Sequence, residues 1–191
     1  GVHAWWLAKY GANVTAIDLS EKSLEIARKR AGKEGVLEKI KFIKMDCEKL
    51  DFPDKSFDII FDGGAFSSLD LDKAFPELAR VLKPNGFLIG IETFGHNPLT
   101  NLKRRLNKFS GKRTEWAASH IFKKNDIQKA KNYFKKTEIK YFHLISWAIF
   151  PFLKLPGSKL VLKLLEFIDR ILLVLPFLKK YSFKVVFIFE P

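Results

Sequence analysis

The chain has 191 residues, 47% hydrophobic and 29% charged, the length and composition of one domain that buries a core; wholesale disorder is excluded. Cys47 is the only cysteine, so no disulfide scaffold is available, and the longest uncharged apolar run, Tyr141 to Leu153, is too short for the ~20 residues that cross a bilayer. The net charge of +13 is concentrated: residues 1–100 hold 14 Lys/Arg against 15 Asp/Glu, residues 101–140 hold 13 against 3, and residues 141–191 hold 7 against 3. A basic middle of this kind attracts anionic lipid, nucleic acid or phosphorylated substrates, or simply solvates a helix face.

Val2 to Tyr10 reads as a helix ended by Gly11, and Val14 to Ile17 as a short strand. Ser20 caps a helix running to about Ala31, with Leu24, Ala27 and Ala31 on one face. Phe42 to Met45 and Phe57 to Phe61 are the next strands, the latter entered through a Pro53-Asp54-Lys55-Ser56 turn. Leu71 to Val81 is helical, Lys83 to Gly86 is a turn, and Phe87 to Ile91 is a fourth strand. This alternation predicts an α/β fold, a mostly parallel Rossmann-like sheet flanked by helices. Thr93 to Lys123 is polar and basic with no definite pattern. Lys124 to Phe134 reads as a helix capped near Asn125 or Asp126, Thr137 to Phe142 as a strand, and Ser182 to Phe189 as a last strand. Between them, His143 to Lys180 is apolar and helical, interrupted at Pro151, Pro156-Gly157 and Pro176.

Each of the first four strands is followed at once by an acid: Asp18, Asp46, Asp62 and Glu92. Open α/β sheets bind ligands outside the carboxyl ends of their strands, and an acid after the second strand of such a sheet commonly holds a ribose diol. Acids also favour helix starts and turns, which explains one or two of the four but not the full row. Such a rim suits a positively charged ligand rich in hydroxyl and amino donors.

Leu7-Ala8-Lys9-Tyr10-Gly11-Ala12-Asn13-Val14-Thr15-Ala16-Ile17-Asp18-Leu19-Ser20 is similar to the stretch after the glycine-rich loop of class I S-adenosylmethionine-dependent methyltransferases. The resemblance is to the type 11 group that includes ubiquinone/menaquinone biosynthesis methyltransferases. It continues through Asp46-Cys47, Phe57-Asp58-Ile59-Ile60-Phe61-Asp62 and Leu78-Ala79-Arg80-Val81-Leu82-Lys83-Pro84-Asn85-Gly86-Phe87, covering residues 1–92. It implies S-adenosyl-L-methionine as cofactor, with Asp18 and the adjoining Leu19 at the ribose and Asp46 with Cys47 at the adenine. Asp62 and Gly63 would lie near the methionine part, and Gly1 would be the last glycine of the cradle loop. The family's first strand and the rest of that loop do not match anything in these residues. The expectation is therefore an N-terminally truncated chain, weakly active or inactive, in which ~40 further upstream residues would raise stability and cofactor affinity. It has the form of one domain, with residues 1–92 holding the cofactor and residues 93–191 facing the substrate.

The expected activity is in-line methyl transfer to a small, lipophilic or ring-bearing acceptor. An oxygen or weakly acidic carbon nucleophile needs a base, and His96, Glu115 and His120 are the candidates, with His143 behind them. Cys47 has no pattern of an activated nucleophile, and no metal site is expected. From Ser158 to Leu175 the polar residues draw one narrow stripe on an apolar helix, which suits core packing, a lid, a dimer face or an interfacial membrane helix. Lys154, Lys159, Lys163, Lys179 and Lys180 would suit an anionic membrane surface, giving a cytoplasmic protein attached peripherally to membrane. Nucleic acid is not an expected partner, because the basic segment shows no recognition motif. Two alternatives stay open: a non-catalytic Rossmann-like module binding anionic lipid or RNA, and a nicotinamide-dependent oxidoreductase.

Overall fold

The computed structural model describes residues 2–98, 101 and 121–191. Four strands, β1 (Val14–Asp18), β2 (Ile40–Lys44), β3 (Phe57–Asp62) and β4 (Leu82–Thr93), run parallel within their pairs. They alternate with α1 (Val2–Lys9), α2 (Glu21–Lys33) and α3 (Leu71–Val81). Then follow α4 (Lys124–Ala130), β5 (Lys136–Phe142), a 3-10 segment (Ser146–Phe152), α5 (Ser158–Leu172), α6 (Pro176–Lys179) and β6 (Lys184–Glu190). The predicted α/β fold with a mostly parallel front half is what the chain adopts.

The strands hydrogen-bond as two pieces, β1-β2 and β3-β4-β6-β5, with β6 antiparallel to both its neighbours. Among the described residues β1 and β3 each pair on one side only. The sheet is thus interrupted between its two pieces. Helix α1 reaches across the interruption: the His3 ring lies 4.7 Å from that of Phe61. A Cβ on Gly63 would stand 2.6 Å from His3 Nδ1, so only glycine admits this contact.

The main core sits on the four-stranded piece. Val185, Phe187 and Phe189 alternate inward along β6 and are wholly buried, and Phe187 stacks on Phe66, Phe122 and Phe189. Gly90 of β4 faces Phe187 in the antiparallel register, where a side chain would run into the ring. Helix α3 lays Ala74, Phe75, Leu78 and Val81 against this layer. Its Arg80 clamps the segment after β2, donating to the Leu50 and Phe52 carbonyls at 2.9 and 2.8 Å while pairing with Glu77 and Asp54. Helix α2 starts as expected, with Ser20 Oγ accepting the Ser23 N–H at 3.2 Å, and buries Leu24, Ala27 and Ala31.

Three local expectations change. The Lys83–Gly86 turn is absorbed into β4, which begins at Leu82, and it survives as a register shift opposite Phe57–Ile59. The close backbone explains this: a Cβ on Gly86 would lie 2.7 Å from the Asp58 carbonyl oxygen. The N-cap of α4 is Lys123, not Asn125 or Asp126; Asp126 sits in the first turn and accepts the Lys123 N–H at 2.7 Å. The polar stripe of α5 faces partly inward, with Asp169 buried, and a row of apolar side chains on the opposite side is exposed.

Candidate active site

Asp18 and Asp46 follow the adjacent parallel strands β1 and β2. Asp18 Oδ1 accepts the Ser20 N–H at 2.8 Å, and Asp46 Oδ1 accepts the Glu48 N–H at 2.9 Å. These short turns fix each carboxylate and leave Oδ2 of both without a hydrogen bond among the described residues. The Asp18 carbonyl also accepts the Met45 N–H at 3.3 Å, stitching the two strand exits together. Leu19 is exposed beside Asp18, an apolar surface next to a carboxylate.

Asp62 and Glu92 end β3 and β4, where Asp62 is in register with Gly90 two residues before Glu92. Both are nearly inaccessible, at 4% and 2% exposure, an unusual position for acids. Asp62 Oδ1 accepts the Ala65 N–H at 2.8 Å; Glu92 accepts the Ser67 and Thr93 N–H groups at 3.3 and 3.2 Å. Asp62 Oδ2 is buried with no donor among the described residues once both groups are ionised. Burial pushes Asp62 up to about 6 and Glu92 up to about 7, the Asp62 charge adding to the rise of Glu92. A proton on Glu92 donated to Asp62 satisfies the orphaned oxygen and removes one buried charge. Glu92, to which the resemblance assigns no role, is thus part of the site; its position at a strand end is the signal.

The exits of the two sheet pieces approach each other at Cys47 and Asp62. Cys47, next to Asp46, lies close enough to Asp62 to feel its charge; burial foremost, then Asp62 and Asp46, push its thiol up to about 12. Cys47 is accordingly no nucleophile at neutral pH. The start of α1 meets the exit of β3 through His3 and Gly63, burial holding the His3 imidazole below its usual range.

The expected bases are placed differently. His96 Nε2 accepts the Lys124 N–H at 3.2 Å, so its lone pair holds the start of α4, and burial lowers its basicity further, reinforced by Lys123 and Lys180. His143 Nδ1 lies 2.9 Å from Ser146 Oγ, which donates to Asp169 Oδ2 at 2.6 Å; the serine is a buried link between the other two. Gly1, Glu115 and His120 lie outside the described residues. A cleft of about 290 Å³ lined by Trp5, Arg30, Lys33 and Glu34 contains none of the strand-end acids. No group of His, Cys, Asp or Glu among the described residues is arranged to hold a metal ion.

Residues 1–90 match the family described as a methyltransferase domain. The chain is 42% identical over 76 residues to a demethylmenaquinone methyltransferase of Bacteroides fragilis, covering 39% of this chain and 31% of that protein. It is 38% identical over 84 residues to a ubiquinone/menaquinone biosynthesis C-methyltransferase of Brucella canis, covering 42% of this chain and 30% of that one. The matched part thus spans under a third of the length of these curated relatives. Among solved structures, a Pyrococcus horikoshii protein aligns over 100% of this chain and 77% of its own, at 20% identity and a TM-score of 0.63. A Streptomyces coelicolor geranyl diphosphate C-methyltransferase aligns over 94% and 63%, at 14% identity and a TM-score of 0.60. Residues 1–90 thus resemble the methyltransferase domain of these relatives, and the fold of the whole is that of these structures.

Proposed function

We propose that the protein transfers a methyl group from S-adenosyl-L-methionine to a small, lipophilic or ring-bearing acceptor by in-line displacement. The observation that carries this reading is the placement of acids at the strand exits, where Asp18 and Asp46 each keep one carboxylate oxygen without a hydrogen bond among the described residues. The names of the relatives support the acceptor class, since one is a demethylmenaquinone methyltransferase and the other a C-methyltransferase of ubiquinone/menaquinone biosynthesis.

The donor set fits the cofactor. Asp18 Oδ2 would accept from the ribose diol, with Leu19 against the apolar side of the nucleoside, and Asp46 Oδ2 from the adenine amino group beside the Cys47 backbone. Asp62 and Gly63 would face the methionine portion, where a cationic amine or sulfonium meets negative charge. When bound, the cofactor supplies the electrophilic methyl carbon. The protein's task is then to align and desolvate the acceptor, an orientation effect worth several kcal/mol.

An oxygen or carbon acceptor must lose a proton to a base. Glu115 and His120 stay in the proposal as acceptor-side bases; His96 takes part only by giving up its bond to Lys124. The reading includes a cytoplasmic protein attached peripherally to membrane, where apolar acceptors reside; no described helix is long and apolar enough to cross one.

Calorimetric titration with S-adenosylhomocysteine tests the reading. Micromolar binding that Asp18→Asn weakens supports it, whereas binding of a nicotinamide dinucleotide instead would overturn it in favour of the oxidoreductase.

A further inference from the structure

Helix α5 is mounted with its apolar side outward. Asp169, buried on its inner side, accepts the Ile145 and Ser146 N–H groups at 2.8 and 3.2 Å and the Ser146 hydroxyl at 2.6 Å. These three bonds fix the rotation of the helix against the 3-10 segment. On the other side Leu160, Leu164, Phe167 and Ile171, spaced 4, 3 and 4, form one row along the axis. They are 74%, 60%, 59% and 57% exposed, and Val174 and Phe177 extend the row beyond the helix at 72% and 62%. Nothing among the described residues covers them. Isolated exposed leucines are ordinary, but a contiguous row held outward by a buried polar lock marks a contact surface.

The charges choose the partner. At ~100° per residue, Lys163, Arg170 and Lys159 lie along one flank of the row, roughly 60–100° from its centre. All three are exposed, whereas the acids of the helix, Glu166 and Asp169, are half-buried and buried. Lys154 and Lys180, both exposed, stand beyond the two ends of the helix. The surface therefore presents an apolar ridge beside a cationic edge. A second copy docked antiparallel about a two-fold axis would bring like charges together, while an anionic bilayer neutralises the edge and takes up the ridge.

We propose that the outward row of α5, Leu160, Leu164, Phe167 and Ile171, docks the protein in plane on an anionic membrane surface, with Lys159, Lys163 and Arg170 at the headgroups. This specifies the peripheral attachment in the proposed function, and it does not depend on the methyl-transfer chemistry.

The experiment is co-sedimentation with vesicles of phosphatidylcholine containing or lacking phosphatidylglycerol, at low and high salt. Wild-type protein is expected to partition onto the anionic vesicles and to come off with added salt. Leu164→Ser with Phe167→Ser should weaken partitioning about tenfold or more. Lys159→Gln with Lys163→Gln should weaken it about fivefold per lysine and reduce the preference for anionic lipid. All four positions are exposed, so far-ultraviolet circular dichroism and thermal midpoint should stay unchanged. Equal partitioning of wild type and both variants overturns the proposal. So does a stable wild-type dimer that the Leu164/Phe167 variant dissociates, since the row is then a self-association face. Titration of the same variants with S-adenosylhomocysteine keeps the two readings apart: lost vesicle binding with intact cofactor binding supports docking alone, and the reverse indicts only the chemistry.

Discussion

Asp62 and Glu92 sit side by side at the ends of neighbouring parallel strands, both buried, with a single proton able to satisfy the oxygen that Asp62 otherwise leaves unpaired. Burial raises both carboxyls, to about 6 and about 7. In the unfolded chain both release their protons near pH 4. Between there and about pH 7 this pair binds more protons in the folded than in the unfolded state, so its contribution to stability falls as pH rises through that window and then levels off.

Glu92→Gln should flatten that fall. The amide oxygen can still accept one of the two backbone N–H groups, from Ser67 or Thr93, and the amide N–H replaces the shared proton as donor to Asp62. We expect the thermal midpoint of the variant to rise relative to wild type from pH 5 to pH 8, the gain reaching on the order of 2 kcal/mol at pH 8. Identical slopes in a pH series of melting curves would count against a shared proton.

Asp18→Asn separates binding from folding. The amide of the substituted side chain keeps an oxygen for the Ser20 N–H, so the turn into α2 survives and the thermal midpoint should hold within about 1 °C. The charge proposed to hold the ribose diol is lost, and affinity for S-adenosylhomocysteine should fall about tenfold or more, as expected for a hydrogen bond to a charged acceptor. Calorimetry giving equal dissociation constants for both proteins would remove Asp18 from the site.

Gly90→Ala tests the packing behind that site. Gly90 pairs across the ladder with Phe187, and the ring occupies the space of any added side chain. Overpacking of this kind costs about 1–3 kcal/mol. Adding Phe187→Leu should cost less in the Gly90→Ala background than alone, because the smaller side chain makes room for the methyl. Strict additivity in denaturant unfolding would show that the strand shifts instead.

The front half is legible because its signals are local. Ser20 as a cap, the Leu24-Ala27-Ala31 face and the acids ending four strands are each read within a few residues, and the structure carries all of them. Glu92 is visible as a strand-end acid, but its pairing with Asp62 depends on β3 and β4 being neighbours, a contact between distant parts of the chain that no local pattern states. His96 has the sequence position of a base after a strand end; the N–H that occupies it comes from Lys124, and sequence spacing gives no warning of that bond. The orientation of α5 is the least legible part. Its amphipathic pattern is symmetric with respect to inside and outside, and periodicity alone assigns the wide apolar face to the core. One buried carboxylate reverses that assignment.

Asp169→Ala is therefore the change that most directly probes how the second half is built. It removes the acceptor of three hydrogen bonds and leaves the Ile145 N–H, the Ser146 N–H and the Ser146 hydroxyl competing for partners in a buried place. Leaving such donors unsatisfied costs about 1–3 kcal/mol each at most, and partial hydration brings the sum to about 3 kcal/mol. Since α5 touches the rest of the molecule chiefly through the Ser146–Phe152 segment, the loss should be felt there first. Limited proteolysis should cut the variant faster between residues 143 and 180, while the β1–β2 exits bearing Asp18 and Asp46 retain their affinity for S-adenosylhomocysteine. With the lock gone, the helix can roll its leucines toward the protein, and vesicle binding should fall although every residue of the exposed row is intact. Unchanged proteolysis and unchanged vesicle binding together would mean that packing alone sets the rotation of the helix.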